Sequence, residues 1–330
     1  MNYEKKPTVA LIYGGRGRER DVSLKGKDHV LPLIDENAYD RLLVEIMPDG
    51  RWTVGNREVY AVRGGFYSPE DGELFKADRA FPLLHGDMGE DGVVQGALEC
   101  VDMPYVGCDV SAGAICRDKG FVKTIASSLD IPTLPFLTLL KSEGVECAVR
   151  RAEASLSYPM FIKPARLGSS IGAVRADTRG ELLSALSIAF SLCSRVIAEP
   201  YLYPKRELEC AYLSVKGKEL FTYPGEILLD GVYGYKEKYL SSDVGLSVRA
   251  DVDLGVGEQV REYSRRLVHA LGVRDLSRVD FFLSGDRLYF NEINTMPGFT
   301  EGSLYPKMIE AAGYTPRELI GLLIEGCVHR

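Results

Sequence analysis

A predicted β-hairpin near the carboxyl end constrains the fold of this chain more than any other segment. Residues 277–283 are apolar and rich in β-forming types, Ser284-Gly285-Asp286 is typical of a turn, and residues 287–294 read as a second strand. Strand side chains alternate between two faces, so Glu292 and Asn294 project from the same face. Asp280 on the paired strand can join them. The hairpin therefore predicts two carboxylates and one amide on a single sheet surface.

Oxygen ligands of this kind suit a hard divalent cation. Mg²⁺ prefers carboxylate and amide oxygens and takes its remaining ligands from nucleotide phosphates and water. Asp280, Glu292 and Asn294 are few enough to leave positions for a phosphate. A solvated hairpin with ordinary surface acids explains the same three residues equally well. Taken alone, the hairpin leaves both interpretations open.

Composition excludes several classes of protein. The 330 residues allow two or three domains, and 45% hydrophobic with 26% charged residues is typical of a soluble globular chain. A net charge of −7 without a basic stripe argues against nucleic acid or a membrane surface as partner. The seven dispersed cysteines contain no CxxC pair, which predicts buried reduced thiols rather than a zinc site or disulfides. No signal peptide or membrane span is indicated, so we expect a cytoplasmic protein.

The first part of the chain alternates strands with helices. Residues 8–13 are apolar and end in Gly14-Gly15, a helix pattern opens near Asp21, and strand patterns follow at residues 42–46 and 80–84. This alternation predicts an α/β unit with a parallel sheet to about residue 115. Functional groups gather at the carboxyl ends of such strands, where Glu19 and His85 lie.

The second part contains a lysine followed by a serine loop. A helix pattern runs from Asp118-Lys119 to about residue 129, and strands are predicted at residues 136–139, 160–163, 171–175 and 195–199. Lys163 ends one of these strands, and residues 168–172 read Gly-Ser-Ser-Ile-Gly. Such a loop can close over phosphate through N–H groups and hydroxyls, but an ordinary turn with a snorkelling lysine fits as well. The chain contains no P-loop.

The third part adds a long strand, a loop and the hairpin. Residues 207–215 read as a strand, and residues 231–243 as a long loop that is usually functional when it interrupts a compact domain. A helix is predicted at residues 259–271, and two more close the chain at 305–312 and 316–327. The segment from Glu199 to Leu202, followed by Glu207, is compatible with two interpretations: a hinge that binds a nucleotide, or a strand that only crosses between two domains.

The order of these motifs resembles the D-alanine–D-alanine ligases of the ATP-grasp superfamily, essentially from end to end. Six blocks carry the likeness: Tyr13-Gly14-Gly15 with Glu19 to Leu24, Phe81 to Gly86 with Gly89 to Gly96, Asp118-Lys119, Ile162 to Gly172, Tyr235 to Tyr239, and Arg278 to Asp280 with Asn291 to Thr300. One block alone is weak, whereas six in the family's order form a specific match.

The resemblance implies an α/β fold of ATP-grasp architecture in three domains. These are an N-terminal Rossmann-like parallel-sheet domain at residues 1–117, a small central α+β domain at 118–204, and a C-terminal α+β domain at 205–330 with the metal site and the mobile loop. ATP is expected between the second and third domains. A homodimer is also expected.

The resemblance also implies roles for individual residues. ATP and two Mg²⁺ (or Mn²⁺) ions are the implied cofactors. The residues implied in nucleotide binding are Lys119, Lys163, Ser170, Glu199, Leu202, Glu207 and Lys238. The metal ligands are Asp280, Glu292 and Asn294. Glu19, Ser169 and Tyr239 form a hydrogen-bonded triad. Glu19 and His85 lie at the first substrate, and Ser303 and Leu304 at the second.

The implied reaction joins two D-alanine molecules for peptidoglycan synthesis. ATP first phosphorylates one carboxylate, and the amine of a second D-alanine then attacks the acyl phosphate. Arg278 and the Gly298 N–H group are implied in stabilising the developing oxyanion. Apolar Leu304 favours D-alanine as acceptor over D-serine, and Tyr239 argues against D-lactate. A D-alanine–D-serine or D-lactate ligase remains the nearest alternative.

Two further classes compete less well with this interpretation. A regulatory nucleotide-binding protein of the same fold is expected to lose a metal ligand or Tyr239, and the sequence keeps them all. A nicotinamide oxidoreductase is suggested only by the glycine turn at 14–17. This turn does not have the G-x-G-x-x-G spacing, because the third glycine would be needed at position 20, where the chain has Arg20. Departures from the commoner family pattern include Gly17, Pro200, Gly234 and one residue added between Leu202 and Glu207.

Overall fold

Three β-sheets organise the chain in its computed structural model, which describes residues 6–228 and 245–327. The sheets follow one another along the sequence, as the predicted three-part organisation requires. Within the described ranges, no helix is long and apolar enough to cross a membrane.

The first sheet combines a parallel centre with an antiparallel extension. Its order is β6-β5-β4-β3-β2-β1-β7, and β1 pairs in parallel with both β2 and β7. The strands are β1 Thr8–Gly14, β2 Asp40–Ile46, β3 Trp52–Val54, β4 Arg57–Val62, β5 Gly65–Tyr67, β6 Leu74–Lys76 and β7 Arg79–Pro82. Helices α1 Arg20–Val30, α2 Val93–Glu99 and α3 Val110–Arg117 accompany them.

The antiparallel extension is a difference from the predicted parallel sheet. Strands β2 to β6 pair in succession as antiparallel neighbours. The links between them are a few residues long and contain glycines in the left-handed region, such as Gly55 and Gly64. Links of this length close hairpins, whereas a parallel crossover needs a dozen or more residues. The parallel part, β1 with β2 and β7, agrees with the prediction.

The second sheet is small and antiparallel, in the order β10-β9-β11-β8. Helix α4, Lys119–Ser128, precedes this sheet. The strands are β8 Leu137–Leu140, β9 Met160–Pro164, β10 Val174–Ala176 and β11 Arg195–Pro200, and the helices are α5 Val145–Ser155 and α6 Arg179–Leu192. Strand β10 starts three residues later than predicted, because Gly172 has φ +72° and stays in the serine loop. Leu186 and Val196 belong to a hydrophobic core confined to this part of the chain.

The third sheet carries the predicted hairpin. Its order is β15-β14-β12-β16-β17, with β13 also paired to β12. The elements are β12 Arg206–Val215, β13 Lys218–Phe221, β14 Gly225–Leu228, β15 Gly245–Ser247, β16 Leu276–Ser284, β17 Arg287–Asn294, α7 Leu254–Leu271, α8 Leu304–Ala311 and α9 Pro316–Gly326. The hairpin of β16 and β17 is confirmed, and its register pairs Asp280 with Glu292.

The first and third sheets share a hydrophobic core. Val9 and Leu11 of β1 belong to the same buried cluster as Ala211 of β12, and Tyr305 and Ile309 of α8. Helix α4 packs on the third sheet, since Val122 and Ala126 join the cluster of Val279 and Phe290. These contacts hold the first sheet against the third sheet, while the second sheet keeps its own core.

The cysteines agree with the absence of a disulfide framework, with one correction. All seven thiols are free. Cys108, Cys116, Cys210 and Cys327 are buried as expected, but Cys100 is exposed and Cys147 and Cys193 are partly exposed. Cys100 directly follows α2, where the chain turns at the surface.

Candidate functional site

A cleft of about 960 Å³ gathers most of the predicted nucleotide-binding residues. Its lining includes Lys119, Lys163, Ser169, Ser170, Glu199, Leu202, Glu207, Asp280 and Glu292. These residues come from the second sheet, the serine loop, the start of α4 and the third sheet. Phe161, Tyr201 and Phe282 supply aromatic surface in the same cleft. The cleft thus combines cations and carboxylates with the apolar wall that a flat base requires.

Glu199 lies in the wall of this cleft between two lysines. Its carboxylate is 2.6 Å from Lys123 Nζ and 2.7 Å from Lys163 Nζ, and it is almost completely buried. Burial alone raises the pKa of Glu199, but the two ammonium groups outweigh it and lower the pKa to about 2. The anion that pairs with Lys163 in this structure is therefore Glu199, whereas the sequence suggested a phosphate as its partner.

The serine loop brings the nucleotide cleft into contact with the first unit. Ser169 and Ser170 have φ values of 54° and 56°, in the left-handed region that few residues other than glycine adopt. Ser169 Oγ donates a hydrogen bond of 2.5 Å to Glu19 Oε1. Lys119 Nζ donates to the Leu167 carbonyl oxygen at 2.8 Å, which holds the start of the loop. Two members of the predicted triad are therefore in contact, and the third, Tyr239, lies outside the described residues together with Lys238.

A second cavity of about 710 Å³ adjoins the first and gathers the predicted substrate residues. Its lining includes Glu19, His85, Ser169, Arg278, Gly298, Ser303 and Leu304. Gly168, Ser169, Glu209 and Glu292 line both cavities. A chemical group bound where the two cavities meet can therefore contact a ligand in either cavity.

Glu19 and His85 reach the second cavity from the first sheet. Glu19 directly precedes α1, after the glycine turn that follows β1, and His85 follows β7. Both positions agree with the prediction that functional groups follow strand ends. His85 is buried, and burial lowers the pKa of its imidazole despite the opposing charge of Glu19. A neutral imidazole is the expected form at neutral pH.

The opposite wall of this cavity is the start of α8. Ser303 is the N-cap residue and Leu304 is the first residue of the helix. Thr300 N donates to Ser303 Oγ at 3.1 Å. A Cβ at Gly298 would lie only 2.6 Å from Ser303 Oγ, so a side chain at this position would have to displace the hydroxyl. Backbone N–H groups at a helix start suit a substrate carboxylate.

The three predicted metal ligands lie together on one face of the hairpin. Asp280 pairs with Glu292 across the strands, and Asn294 Nδ2 donates to Asp280 Oδ2 at 3.0 Å. Cations of the chain neighbour both carboxylates: Arg278 contacts Asp280 at 2.7 Å, and Lys119 Nζ lies 3.1 Å from Glu292. In the described ranges no group of three or more His, Cys, Asp or Glu side chains has a metal-binding arrangement. The predicted set is smaller, with two carboxylates and one amide.

This donor set fits a divalent cation. Glu209 on β12 pairs with Asp280 in the sheet, so a third carboxylate borders the same surface. Burial opposes the charge of Arg278, but Asp280 and Glu209 outweigh it and raise its pKa well above the usual value. The clustered carboxylates concentrate negative charge that the neighbouring Arg278 and Lys119 only partly offset. Oxygen-rich, anionic surroundings of this type are those that Mg²⁺ selects.

The predicted ribose residue Glu207 is paired with a neighbour that sequence analysis did not single out. Lys205 Nζ contacts the Glu207 carboxylate and lies 3.8 Å from the centre of the Phe282 ring. Lys205 lies between Leu202 and Glu207, in the stretch to which one residue is added relative to the family pattern. All four residues line the nucleotide cleft.

Three charged residues in or next to the two cavities were not predicted as site residues from the sequence: Lys123, which pairs with Glu199 of the nucleotide cleft, and Glu90 and Arg117. Lys123 lies one helical turn after Lys119 in α4, a spacing that can be read from sequence. Glu90 stands within the His85-Gly86 block but was not assigned a role, and Arg117 ends α3 with no local signal. Both line the second cavity. Their partners are distant in sequence, so their burial follows only from the packed fold.

Comparison with known proteins identifies the family of this chain. Family models described as D-ala D-ala ligase N-terminus and D-ala D-ala ligase C-terminus match residues 8–108 and 125–325. The chain is 37% identical to the D-alanine–D-alanine ligase of Enterococcus faecalis, over 98% of this chain and 99% of that protein.

Solved structures give the same result. The D-alanyl-alanine synthetase A of Vibrio cholerae superposes with a TM-score of 0.88 at 28% identity, over 98% of this chain and 99% of that one. The VanG D-Ala:D-Ser ligase of Enterococcus faecalis gives 0.86 at 31% identity, over 97% and 99%. Both halves of the chain match the same family along nearly their whole length, so the chain belongs to the D-alanine–D-alanine ligase family.

Proposed function

We propose that this protein joins two D-alanine molecules into D-alanyl-D-alanine, with conversion of ATP to ADP and phosphate. The observation that carries the proposal is the shared boundary of the two cavities. Glu292 and the serine loop residues Gly168 and Ser169 line both the nucleotide cleft and the substrate cavity. A γ-phosphate in the first cavity can therefore meet a carboxylate in the second. Phosphoryl transfer requires this positioning more than any covalent contribution from the protein.

The nucleotide side of the reaction uses the lysines and the segment after β11. Lys119, Lys163 and Ser170 are proposed to bind the phosphates, and Glu199 with Leu202 borders the adenine. Their common position in one cleft supports this assignment. Glu207 is the proposed ribose partner, although its pairing with Lys205 means that a ribose hydroxyl shares the carboxylate with an ammonium group. Lys238 is proposed to reach the γ-phosphate.

Asp280, Glu292 and Asn294 are the proposed ligands of two Mg²⁺ or Mn²⁺ ions. When bound, such ions neutralise the charge that develops on the transferring phosphoryl group. The same carboxylates contact Arg278 and Lys119, so a bound ion would share them with these two cations.

The first D-alanine is proposed to lie beside Glu19 and His85. Glu19 Oε1 is held by Ser169, which orients the carboxylate as the partner of an ammonium group. The oxygen of a free carboxylate is a poor leaving group. The substrate carboxylate therefore first attacks the γ-phosphate, so that this oxygen can later leave as part of phosphate. Acyl phosphate formation releases ADP. Glu19, Ser169 and Tyr239 are proposed to act as one hydrogen-bonded group that keeps the reacting atoms from water.

The second D-alanine is proposed to bind against Ser303 and Leu304 at the start of α8. Its amine attacks the acyl carbon, a C–N bond forms, the C–O bond to phosphate breaks, and one proton leaves the amine. Negative charge develops on the carbonyl oxygen during this step. Arg278 and the N–H group of Gly298 line the same cavity and are proposed to stabilise it.

D-serine is the alternative acceptor that one structural comparison suggests. The VanG D-Ala:D-Ser ligase matches the fold over 97% of this chain. Apolar Leu304 borders the second cavity, which supports D-alanine, since the Leu304 side chain offers no hydrogen-bond partner to an acceptor hydroxyl. Rates with D-alanine, D-serine and D-lactate as competing acceptors test this assignment. Preferred use of D-serine overturns it.

The proposal extends to the whole molecule. The dipeptide is a building block of peptidoglycan, and its synthesis by this chain is expected in the cytoplasm. We propose domain boundaries at residues 117 and 204, and a homodimer as the working state. Sedimentation at micromolar concentration tests the dimer, and a single species at monomer mass contradicts it.

The decisive experiment measures phosphate release from ATP and Mg²⁺ with and without D-alanine, with mass detection of the dipeptide. One dipeptide per phosphate is the expected result. Asp280→Asn should lower the rate by about 100-fold or more because it removes a proposed metal ligand. Asp286→Asn is the matched control, because it lies exposed in the turn of the same hairpin and should act as wild type. ATP binding without stimulation by D-alanine contradicts the proposed substrate.

A further inference from the structure

Arg117 is a buried guanidinium group inside the proposed D-alanine cavity. It ends α3, its side chain is 9% exposed, and it lines the same cavity as Glu19 and His85. Nη1 donates to Glu90 Oε2 at 3.1 Å. Nε and Nη2 have no hydrogen-bond partner within the described part of the chain. This positive charge requires an explanation, because the positively charged ammonium group of D-alanine is proposed to bind in the same cavity.

Two carboxylates share this one cation. Arg117 Nη2 lies 3.6 Å from Glu19 Oε2, which is an ion pair but too long for a hydrogen bond. The contact with Glu90 is shorter, and Glu90 also accepts from Gly86 N at 2.8 Å. Glu90 therefore holds Arg117 by the nearer contact. With Glu90 ionised, these two carboxylates and one guanidinium carry one net negative charge among them, which suits the single positive charge of a substrate ammonium group.

Other charged groups also line this cavity, but each has its own partner: Arg278 is paired with Glu209, and Glu292 with Lys119. The pKa of Glu90 is raised to about 7, because burial and the charges of Glu19 and Glu292 together outweigh the charge of Arg117 and the hydrogen bond from Gly86. Asp87 lies 3.8 Å from Arg117 but its side chain is 59% exposed, so water screens it. His85 carries no charge at neutral pH, because burial lowers its pKa.

We propose that Glu90 is a positioning residue for the first D-alanine: it retains Arg117 as its ion-pair partner, so that Glu19 stays available to the substrate's ammonium group. This inference rests on the proposed function. Without the charge of Glu90, Glu19 becomes the only buried carboxylate paired with Arg117, and Arg117 closes the 3.6 Å gap to a hydrogen bond. It then competes with the ammonium group for the same carboxylate.

A charge cycle tests the proposal. Steady-state rates over a wide range of D-alanine concentration are fitted with separate Michaelis constants for the two D-alanine positions, at a pH of about 9, where Glu90 is ionised. Glu90→Gln should raise KM for the first position about tenfold and leave kcat within about threefold of wild type. The double variant Glu90→Gln/Arg117→Met should return this KM to within about threefold of wild type. Positions 19, 90 and 117 then again carry one net negative charge, that of Glu19.

A matched pair at the other end of α3 controls for general damage. Asp109 caps this helix and is ion-paired with Arg274, away from both cavities. Asp109→Asn and Asp109→Asn/Arg274→Met should keep both D-alanine constants of the wild type. ATP affinity, measured by titration calorimetry, should be unchanged in every variant, which confirms that each one is folded.

The outcomes separate the inference from the proposed function. If wild type forms no dipeptide, the proposed function fails and this inference falls with it. If wild type forms the dipeptide and Glu90→Gln keeps the wild-type KM, only the inference fails. A double variant worse than Glu90→Gln also overturns it, because a merely structural role for both residues predicts additive damage.

Discussion

Lys123 illustrates how much a single buried residue contributes at this site. Its ammonium group is completely buried and lies 2.6 Å from Glu199. We expect Lys123→Met to cost about 3–5 kcal/mol of unfolding free energy, because it removes one of the two cations that neutralise a buried carboxylate. Urea unfolding measures this loss. Lys216→Met is the control, since the Lys216–Glu325 pair is half-exposed and screened by water, and its loss should leave the unfolding free energy nearly unchanged.

Glu199 also makes the stability of the molecule depend on pH. Its folded pKa of about 2 lies below the ordinary value of 4.5, so the ionised form is favoured in the folded state. Its contribution is therefore fully present above pH 4.5 and is lost as pH falls toward 2, on the order of 3 kcal/mol. Unfolding free energy should fall more steeply between about pH 5 and 3 in wild type than in Glu199→Gln. Parallel slopes for the two proteins contradict the assignment.

At the scale of elements, the loop after β7 fixes the position of Glu19. Gly86 has φ +73°, and a Cβ there lies 2.2 Å from Glu19 Oε2. Gly86→Ala should displace Glu19 and lower kcat/KM for D-alanine by on the order of 100-fold. Gly64 also has positive φ, at +81°, but open space around it. Gly64→Ala should cost about 1 kcal/mol of stability and no activity, so equal loss of activity in both variants contradicts the role of Gly86.

The elements also show what the sequence could and could not predict. The β16–β17 hairpin was predictable, because its turn and its alternating pattern are local signals. The antiparallel strands β3 to β6 were not predicted, since most of them are short and their hairpins are marked only by scattered glycines. Lys123, Glu90 and Arg117 escaped for a different reason. Their charge partners lie on other elements, and only the three-dimensional packing brings Glu199 to Lys123 or Arg117 between Glu90 and Glu19.

For the whole molecule, the distribution of the cores predicts which parts unfold together. Strands β1 and β12 contribute to one core with Ile309, whereas Leu186 belongs to the separate core of the second sheet. Ile309→Ala and Leu186→Ala should each cost about 2–5 kcal/mol, because both side chains are fully buried. Their hydrogen-exchange patterns should differ, since cooperative units follow contiguous cores.

Ile309→Ala should accelerate exchange in β1 and β12 together and leave β9 and β11 protected, because the second sheet has no side chain in the cluster around Ile309. Leu186→Ala should show the reverse pattern. A wall of the nucleotide cleft can then loosen without disturbing Glu19, His85 and the start of α8, which face the second cavity from the shared core. If Leu186→Ala exposes β1 as readily as β9, the molecule unfolds as one unit and its second sheet cannot move independently.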